Sequence, residues 1–237
     1  GFNSIMKRLS VSDVAAPVQS SQAQIVTHAQ IPAPKEVEEK PVPIDPSSYT
    51  LINDEKTLKE WIAAAYESGI LCFDTETTSL TPAKAELVGI SLAYRAGKAA
   101  YIPLGHTQEM DLLGEAKNTI AQLPKKKVIE LLKPLLEDDS VLKVAHNAKY
   151  DWQMFAKEGV DIAPIDDTML ISYVLDGTAH PHGMDFLSQQ LLSHKPISYE
   201  EVAGKGKNQV TFDKVPIEKA LAYAAEDADV TLRLHKV

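Results

Sequence analysis

Residues 70–77 read Ile-Leu-Cys-Phe-Asp-Thr-Glu-Thr. The apolar run Ile70–Phe73 predicts a short buried strand, and Asp74 and Glu76 follow at its carboxyl end. Side chains at i and i+2 project from the same face of a strand. Two carboxylates therefore stand side by side where open α/β sheets hold their ligands. Acids paired at the edge of a core repel each other and lose hydration unless a cation joins them. Hard divalent cations favour such oxygen donors.

The surrounding pattern supports an α/β arrangement. Upstream, Asp54 is placed to cap a helix to about Ser68, with Leu58, Trp61, Ile62 and Ala65 on one face and Gly69 as its stop. Downstream, 86–94 and 99–104 predict two strands joined by a hairpin turn at 95–98. An irregular connection over 107–123 leads to a helix over 125–137, interrupted by Pro134. A strand over 141–145 and a helix over 149–158 come next. Two further helices are expected over 166–175 and 184–192, then a Gly-Lys loop at 204–208. A last helix starts near Pro216. Strands first in a hairpin, then alternating with helices, predict a mixed sheet flanked by helices.

Two more acids stand out. Asp151 falls in the first turns of the helix after Ala145-His146-Asn147-Ala148, and Tyr223 and Asp227 share a helix face at i and i+4. Each element alone also fits ordinary structure: an acid favoured by a helix dipole, or a core tyrosine on an amphipathic helix. Their combination points to chemistry.

Composition narrows the classes. A net charge of −9 argues against general electrostatic adhesion to nucleic acid. Cations bound by carboxylates can still meet a phosphate locally. The single cysteine, Cys72, rules out a disulfide within the chain and disfavours a cysteine-based zinc site. It also fits a reducing cytoplasm. No apolar run approaches the roughly 18 residues needed to cross a bilayer.

Residues 10–48 hold Pro17, Pro32, Pro34, Pro41, Pro43 and Pro46, with no glycine and no aromatic. They predict a semi-stiff linker. Residues 1–9 read as the end of a helix belonging to an upstream domain. Other features predict plain structure: His180-Pro181-His182 a loop, Cys72 core, Lys125–Lys127 a solvated face, and the stripe Met169, Leu170, Tyr173, Val174 core.

The order and spacing of Asp74, Glu76, Asp151, Tyr223 and Asp227 resemble those of the DEDDy exonucleases. From residue 49 onward the chain is similar to the 3′-to-5′ proofreading exonuclease domain of bacterial DNA polymerase I. The resemblance is carried by FDTETTSL, LVGISLAY, AAYIPLGH, LLKPLLED, LKVAHNAKYD, DTMLISYVL, EEVAGKGKNQVTF and YAAEDADVTLRLH. It implies a ribonuclease-H-like (DnaQ-like) α/β fold with a mixed sheet of about five strands. Domains are implied at 1–9 (end of a 5′ nuclease domain), 10–48 (linker) and 49–237 (exonuclease).

It further implies that Asp74, Glu76, Asp151 and Asp227 hold two divalent cations, Mg²⁺ or Mn²⁺, with Zn²⁺ an alternative at one site. Tyr223 would lie beside the attacking water. Leu80, Asn147, Tyr199, Lys205 and Lys207 would contact a single-stranded DNA 3′ end. Tyr199 stands where the relative has Phe, and His146 where it has Gln. The implied partners are covalently linked polymerase and 5′ nuclease domains, in a cytoplasmic, nucleoid-associated monomer. The alternatives are a catalytically silent scaffold and an RNase D-like exoribonuclease.

Overall fold

The computed structural model describes residues 42–107 and 121–237. The chain divides between Glu39 and Lys40 into two units, and the described residues all belong to the second. Expectations for residues 1–41 and for the middle of the 107–123 connection lie outside the described residues.

A six-stranded sheet, one strand more than about five, carries the fold in the order β1-β4-β3-β2-β5-β6. Its strands are β1 (Thr50–Leu51), β2 (Ile70–Thr77), β3 (Leu87–Arg95), β4 (Lys98–Pro103), β5 (Leu142–Ala145) and β6 (Ile165–Asp167). β2–β3 and β3–β4 pair antiparallel, while β5 runs parallel to both β2 and β6. The sequence pattern missed β1 and β6 because they span two and three residues. β6 also ends in two aspartates, poor strand formers whose extended state depends on pairing with β5.

Helices cover both faces. α1 (Glu55–Ser68) has Asp54 as its N-cap, accepting from the Thr57 amide, and Gly69 at left-handed φ as its stop. α2 (Lys125–Leu136) runs through Pro134 rather than breaking there. So near the helix end, the proline removes only one of the last-turn hydrogen bonds. α3 (Lys149–Lys157), α4 (Thr168–Asp176), α5 (Met184–Leu191), α6 (Tyr199–Ala203) and α7 (Ile217–Leu234) complete the set.

The two faces of β2 go to different cores. Leu71 and Phe73 join Leu58, Leu92, Leu132 and Phe155 in the larger one. Cys72 points the other way, with Ala93, Ala99 and Val144, against Ala225, Ala228 and Leu232 of α7. Small side chains on both sides let α7 lie close to the sheet. That proximity carries Asp227 to the strand end.

Residues 42–48, assigned to the linker by composition, are held to this unit. The Arg233 guanidinium donates to the Val42 and Pro43 carbonyls, and Ile44 packs near Val230 and Leu234. The predicted core stripe on α4 is corrected: Leu170, Tyr173 and Val174 are exposed. Only Thr168 and Ser172 of that helix are buried.

Gly89 pairs with Glu76 across β2–β3. A β-carbon there would lie 2.0 Å from the Tyr101 hydroxyl, because the Tyr101 ring occupies that space. Gly89→Ala is expected to lower unfolding free energy by about 1–3 kcal/mol, as core overpacking does. Chemical denaturation checks this; an unchanged midpoint would show that the ring moves freely.

Candidate metal centre

The site forms where β5 stops short of β2. β5 pairs with Ile70, Leu71 and Cys72 only, so the last half of β2 has no strand on that side. The chain leaves β5 at Ala145, turns through Asn147 at φ 59°, and starts α3. Asp151, in the first turn, fills the gap: its Oδ1 accepts from the Thr75 amide at 2.9 Å and from the Thr75 hydroxyl. Asp167 braces the turn, accepting from the Asn147 amide at 3.0 Å and the Ala148 amide at 2.9 Å. It also caps α4 through the Met169 amide.

On the α7 face of β2, Asp74, Glu76 and Asp227 each present an oxygen within 4.8 Å of the other two. Among the described residues this is the one group of three or more such side chains so arranged. Asp151 is outside that tight set; one of its oxygens is bound to Thr75 and the other is free of any hydrogen bond to it. Its charge nonetheless contributes to the upward shifts of both Asp74 and Glu76.

Electrostatics describe a site short of positive charge. Burial, then Asp151, Glu76 and Asp227, raise Asp74 well above the usual carboxylate range. Part of Asp74 still reaches solvent. Burial and Asp151 push Glu76 to about 8. Burial raises Asp151 to about 7 against the lowering effect of its Thr75 hydrogen bonds. Asp227 is raised by burial, then by Glu76. Its Oδ1 is buried with no hydrogen-bond partner. Buried polar atoms are almost always partnered, so an orphaned oxygen beside two other acids fits a cation donor set.

Tyr223, one turn before Asp227, is held in an aromatic group. Its ring lies 6.2 Å from Tyr199, edge-on, and 5.9 Å from Phe212. Phe212 in turn stacks on Tyr199 at 6.3 Å. Burial, then the charge of Asp227, raise the Tyr223 phenol far above its ordinary range. The phenol therefore stays protonated.

Four of the remaining predicted residues lie on the surface. Leu80 is 95% exposed on the loop after β2. Asn147 is exposed at the brace. Lys205 and Lys207 are exposed, and Lys205 pairs with Glu200 at 3.0 Å. His180 and His182 form no metal group; His182 is buried against Ser172 and the Gly177 carbonyl.

Sequence reasoning missed the supports. Thr75 lies within the quoted motif but on the opposite strand face, where only the structure shows Asp151. Asp167, ahead of an apolar helical run, carried an N-cap signal. Asp229 sits two residues after Asp227 and has a different task. It accepts from the Tyr49 hydroxyl, the Gly97 amide and Arg233, locking α7 to the sheet.

Folded acids with raised pKa favour the protonated form. Their stabilising contribution is complete below the unfolded carboxylate range near pH 4 and is lost as pH rises through about 7 for Asp151 and about 8 for Glu76. In chelator the melting temperature should fall between pH 5 and 8.5. Added Mn²⁺ should restore it most at the alkaline end; a flat profile without metal would exclude this charge crowding. The two neighbouring aspartates of α7 should also behave differently. Asp227→Asn should leave metal-free stability at pH 8 unchanged or higher. Asp229→Ala should lower it by about 3–5 kcal/mol, since Arg233 loses a buried partner. Equal effects in denaturant titration would show that the two aspartates do the same job.

Comparison with known proteins comes down on one family. A family model described as 3′-5′ exonuclease matches residues 49–237. DNA polymerase I of Rhizobium leguminosarum is 52% identical over 205 residues, covering 81% of this chain and 20% of the relative. DNA polymerase I of Pseudomonas aeruginosa is 46% identical over 191 residues, covering 79% of this chain and 20% of the relative. The chain thus spans about a fifth of the length of these curated relatives. Among solved structures, Brucella melitensis NrnC superposes with a TM-score of 0.54 at 24% identity, covering 80% of this chain and 77% of that one. The EXO domain of Aedes aegypti Nibbler gives 0.58 at 16% identity, with 84% and 90% covered. These likenesses place the fold as ribonuclease-H-like.

Proposed function

Since the chain belongs to the 3′-5′ exonuclease family matched over residues 49–237, we propose that it releases nucleoside 5′-monophosphates from single-stranded or frayed DNA 3′ ends. It would do so as the editing unit of a DNA polymerase I, alongside polymerase and 5′ nuclease domains in the bacterial cytoplasm. The observation that carries this reading is the convergence of Asp74, Glu76 and Asp227 around the unpartnered Oδ1 of Asp227.

In this reading Asp74, Glu76 and Asp227, with the free oxygen of Asp151, hold two divalent cations, Mg²⁺ or Mn²⁺, with Zn²⁺ able to replace one. Such ions, when bound, supply an activated water and neutralise charge on the phosphate and the departing oxygen. The protein's own residues do the positioning. Thr75 and Asp167 hold Asp151 and its turn in place. The protonated Tyr223 phenol orients the water by hydrogen bonding and is no general base. The water oxygen bonds to phosphorus as the bond to the 3′ oxygen breaks; the water gives up a proton to solvent, and the departing 3′ oxygen takes one from solvent and ends as a hydroxyl.

In this reading Leu80, exposed on the loop after β2, wedges the terminal base. Tyr199 offers a ring face for stacking, which tolerates any base. Asn147 is available to the substrate backbone. Lys207, and Lys205 when released from Glu200, can meet phosphates.

Nucleotide release from labelled single-stranded DNA tests the proposal. Asp74→Ala and Asp227→Ala should abolish it without lowering the melting temperature. Tyr223→Phe should lower kcat by about 10²-fold, the order of a lost positioning contact, with a smaller change in Mn²⁺ affinity. A wild-type rate in any of these removes the residue from its role. Matched DNA and RNA oligomers decide the substrate, and equal or faster loss of RNA overturns the DNA assignment. No metal-dependent release from either would establish a silent scaffold.

A further inference from the structure

The loop that carries Leu80 leaves the sheet between β2 and β3. Its base is closed by the Thr78 amide on the Glu86 carbonyl and by the Glu86 amide on the Thr78 hydroxyl, both at 3.0 Å. A short turn, with the Lys84 and Ala85 amides on the Thr81 carbonyl, folds its far side. Leu80 stands at the tip, almost wholly in solvent. A loop this exposed keeps one shape only where another element holds it.

Two side chains of α3 reach it. The Tyr150 hydroxyl donates to the Ser79 carbonyl and lies 2.6 Å from the Thr77 hydroxyl. Seven residues on, the Lys157 ammonium donates to the Ala85 carbonyl at 2.6 Å and to the Pro82 carbonyl at 3.1 Å. Positions i and i+7 share a helix face, so one face of α3 grips the loop on both sides of Leu80. The same helix presents Asp151. An ammonium has three donors, and charged donors make the stronger hydrogen bonds. Lys157 uses two of its three on carbonyls 72 and 75 residues away in the chain. Its place in the last turn of α3 also suits a cation.

We infer that Lys157 is a positioning residue for the Leu80 loop and thereby sets how well the site handles a paired 3′ end relative to a single-stranded one; the inference rests on the nuclease reading above, in which Leu80 wedges the terminal base. A wedge opens a base pair only if its own support yields less readily than the pair. Opening that pair costs unpairing and unstacking, and a loop that swings aside leaves the pair closed. A single-stranded end has no pair to open, so the same looseness changes little there.

Nucleotide release from one oligonucleotide, free or annealed flush to its complement, tests this. Lys157→Met keeps the length of the side chain and removes its donors. It should lower kcat/KM on the paired end by about tenfold, the factor carried by one base-pair step, and on the free end by less than about twofold. Equal slowing on both ends assigns Lys157 to phosphate binding or general stability and overturns the inference. Lys126→Met, on exposed α2, removes the same charge and should leave both rates as they are; a loss matching that of Lys157→Met overturns it too. A double variant asks whether Lys157 acts through the wedge. In a Leu80→Ala background, Lys157→Met should cost less than about twofold on the paired end. A loss as large as in the wild-type background places its action elsewhere and overturns the inference.

The loop can also be followed without catalysis. Trypsin cleavage after the exposed Lys84, read by mass spectrometry of the 84–85 bond, should be roughly tenfold faster in Lys157→Met than in wild type, as local opening becomes easier. Unchanged cleavage overturns the clamp. A loosened loop with an unchanged preference between the two ends defeats the role in opening pairs and spares the nuclease reading. No release by wild type from either end defeats the nuclease reading, and this role with it.

Discussion

Like charge crowded at the end of one strand is the constraint around which this structure is organised. Asp74, Glu76 and Asp227 share one side of β2, and Asp151 closes in from the other. Every one of the four is held above its ordinary carboxylate range, with burial the leading cause. Left without a cation, such a group opposes the fold that assembles it. The surrounding structure must therefore hold it together by other means.

Those means can be named. The sheet under α7 is lined by Cys72, Ala93 and Ala99, and the helix answers with Ala225 and Ala228, so backbone approaches backbone. Asp229 then fastens that helix through Tyr49, Gly97 and Arg233. Two aspartates two residues apart thus take opposite roles. One is fully partnered and structural; the other keeps an oxygen unpartnered. On the far side, the early end of β5 leaves the Thr75 amide to Asp151 rather than to a neighbouring strand. The acids converge because a strand is short, a sheet face is smooth and a helix is pinned.

The aromatic group behind Tyr223 serves the same site. Phe212 and Tyr199 hold the ring from two directions, and burial keeps its hydroxyl protonated. A neutral phenol suits the orientation of water better than the removal of its proton. The exposed face of α4 follows a different logic. It has the composition of a core and the exposure of a surface, which local periodicity cannot distinguish.

Residue order was enough to reveal the strand–acid motif, the i and i+4 pairing of Tyr223 with Asp227, the caps of α1 and the hairpin, because each depends on neighbours within one turn or one strand. It also revealed the family, since many short motifs recur in order. Other features emerged only from the folded chain: Asp151 is tied to Thr75, Asp229 is a lock, Ile165–Asp167 is a strand, and Leu170 and Val174 lie outside. Each of those depends on which chain segment arrives from far away, and side-chain periodicity carries no record of that partner.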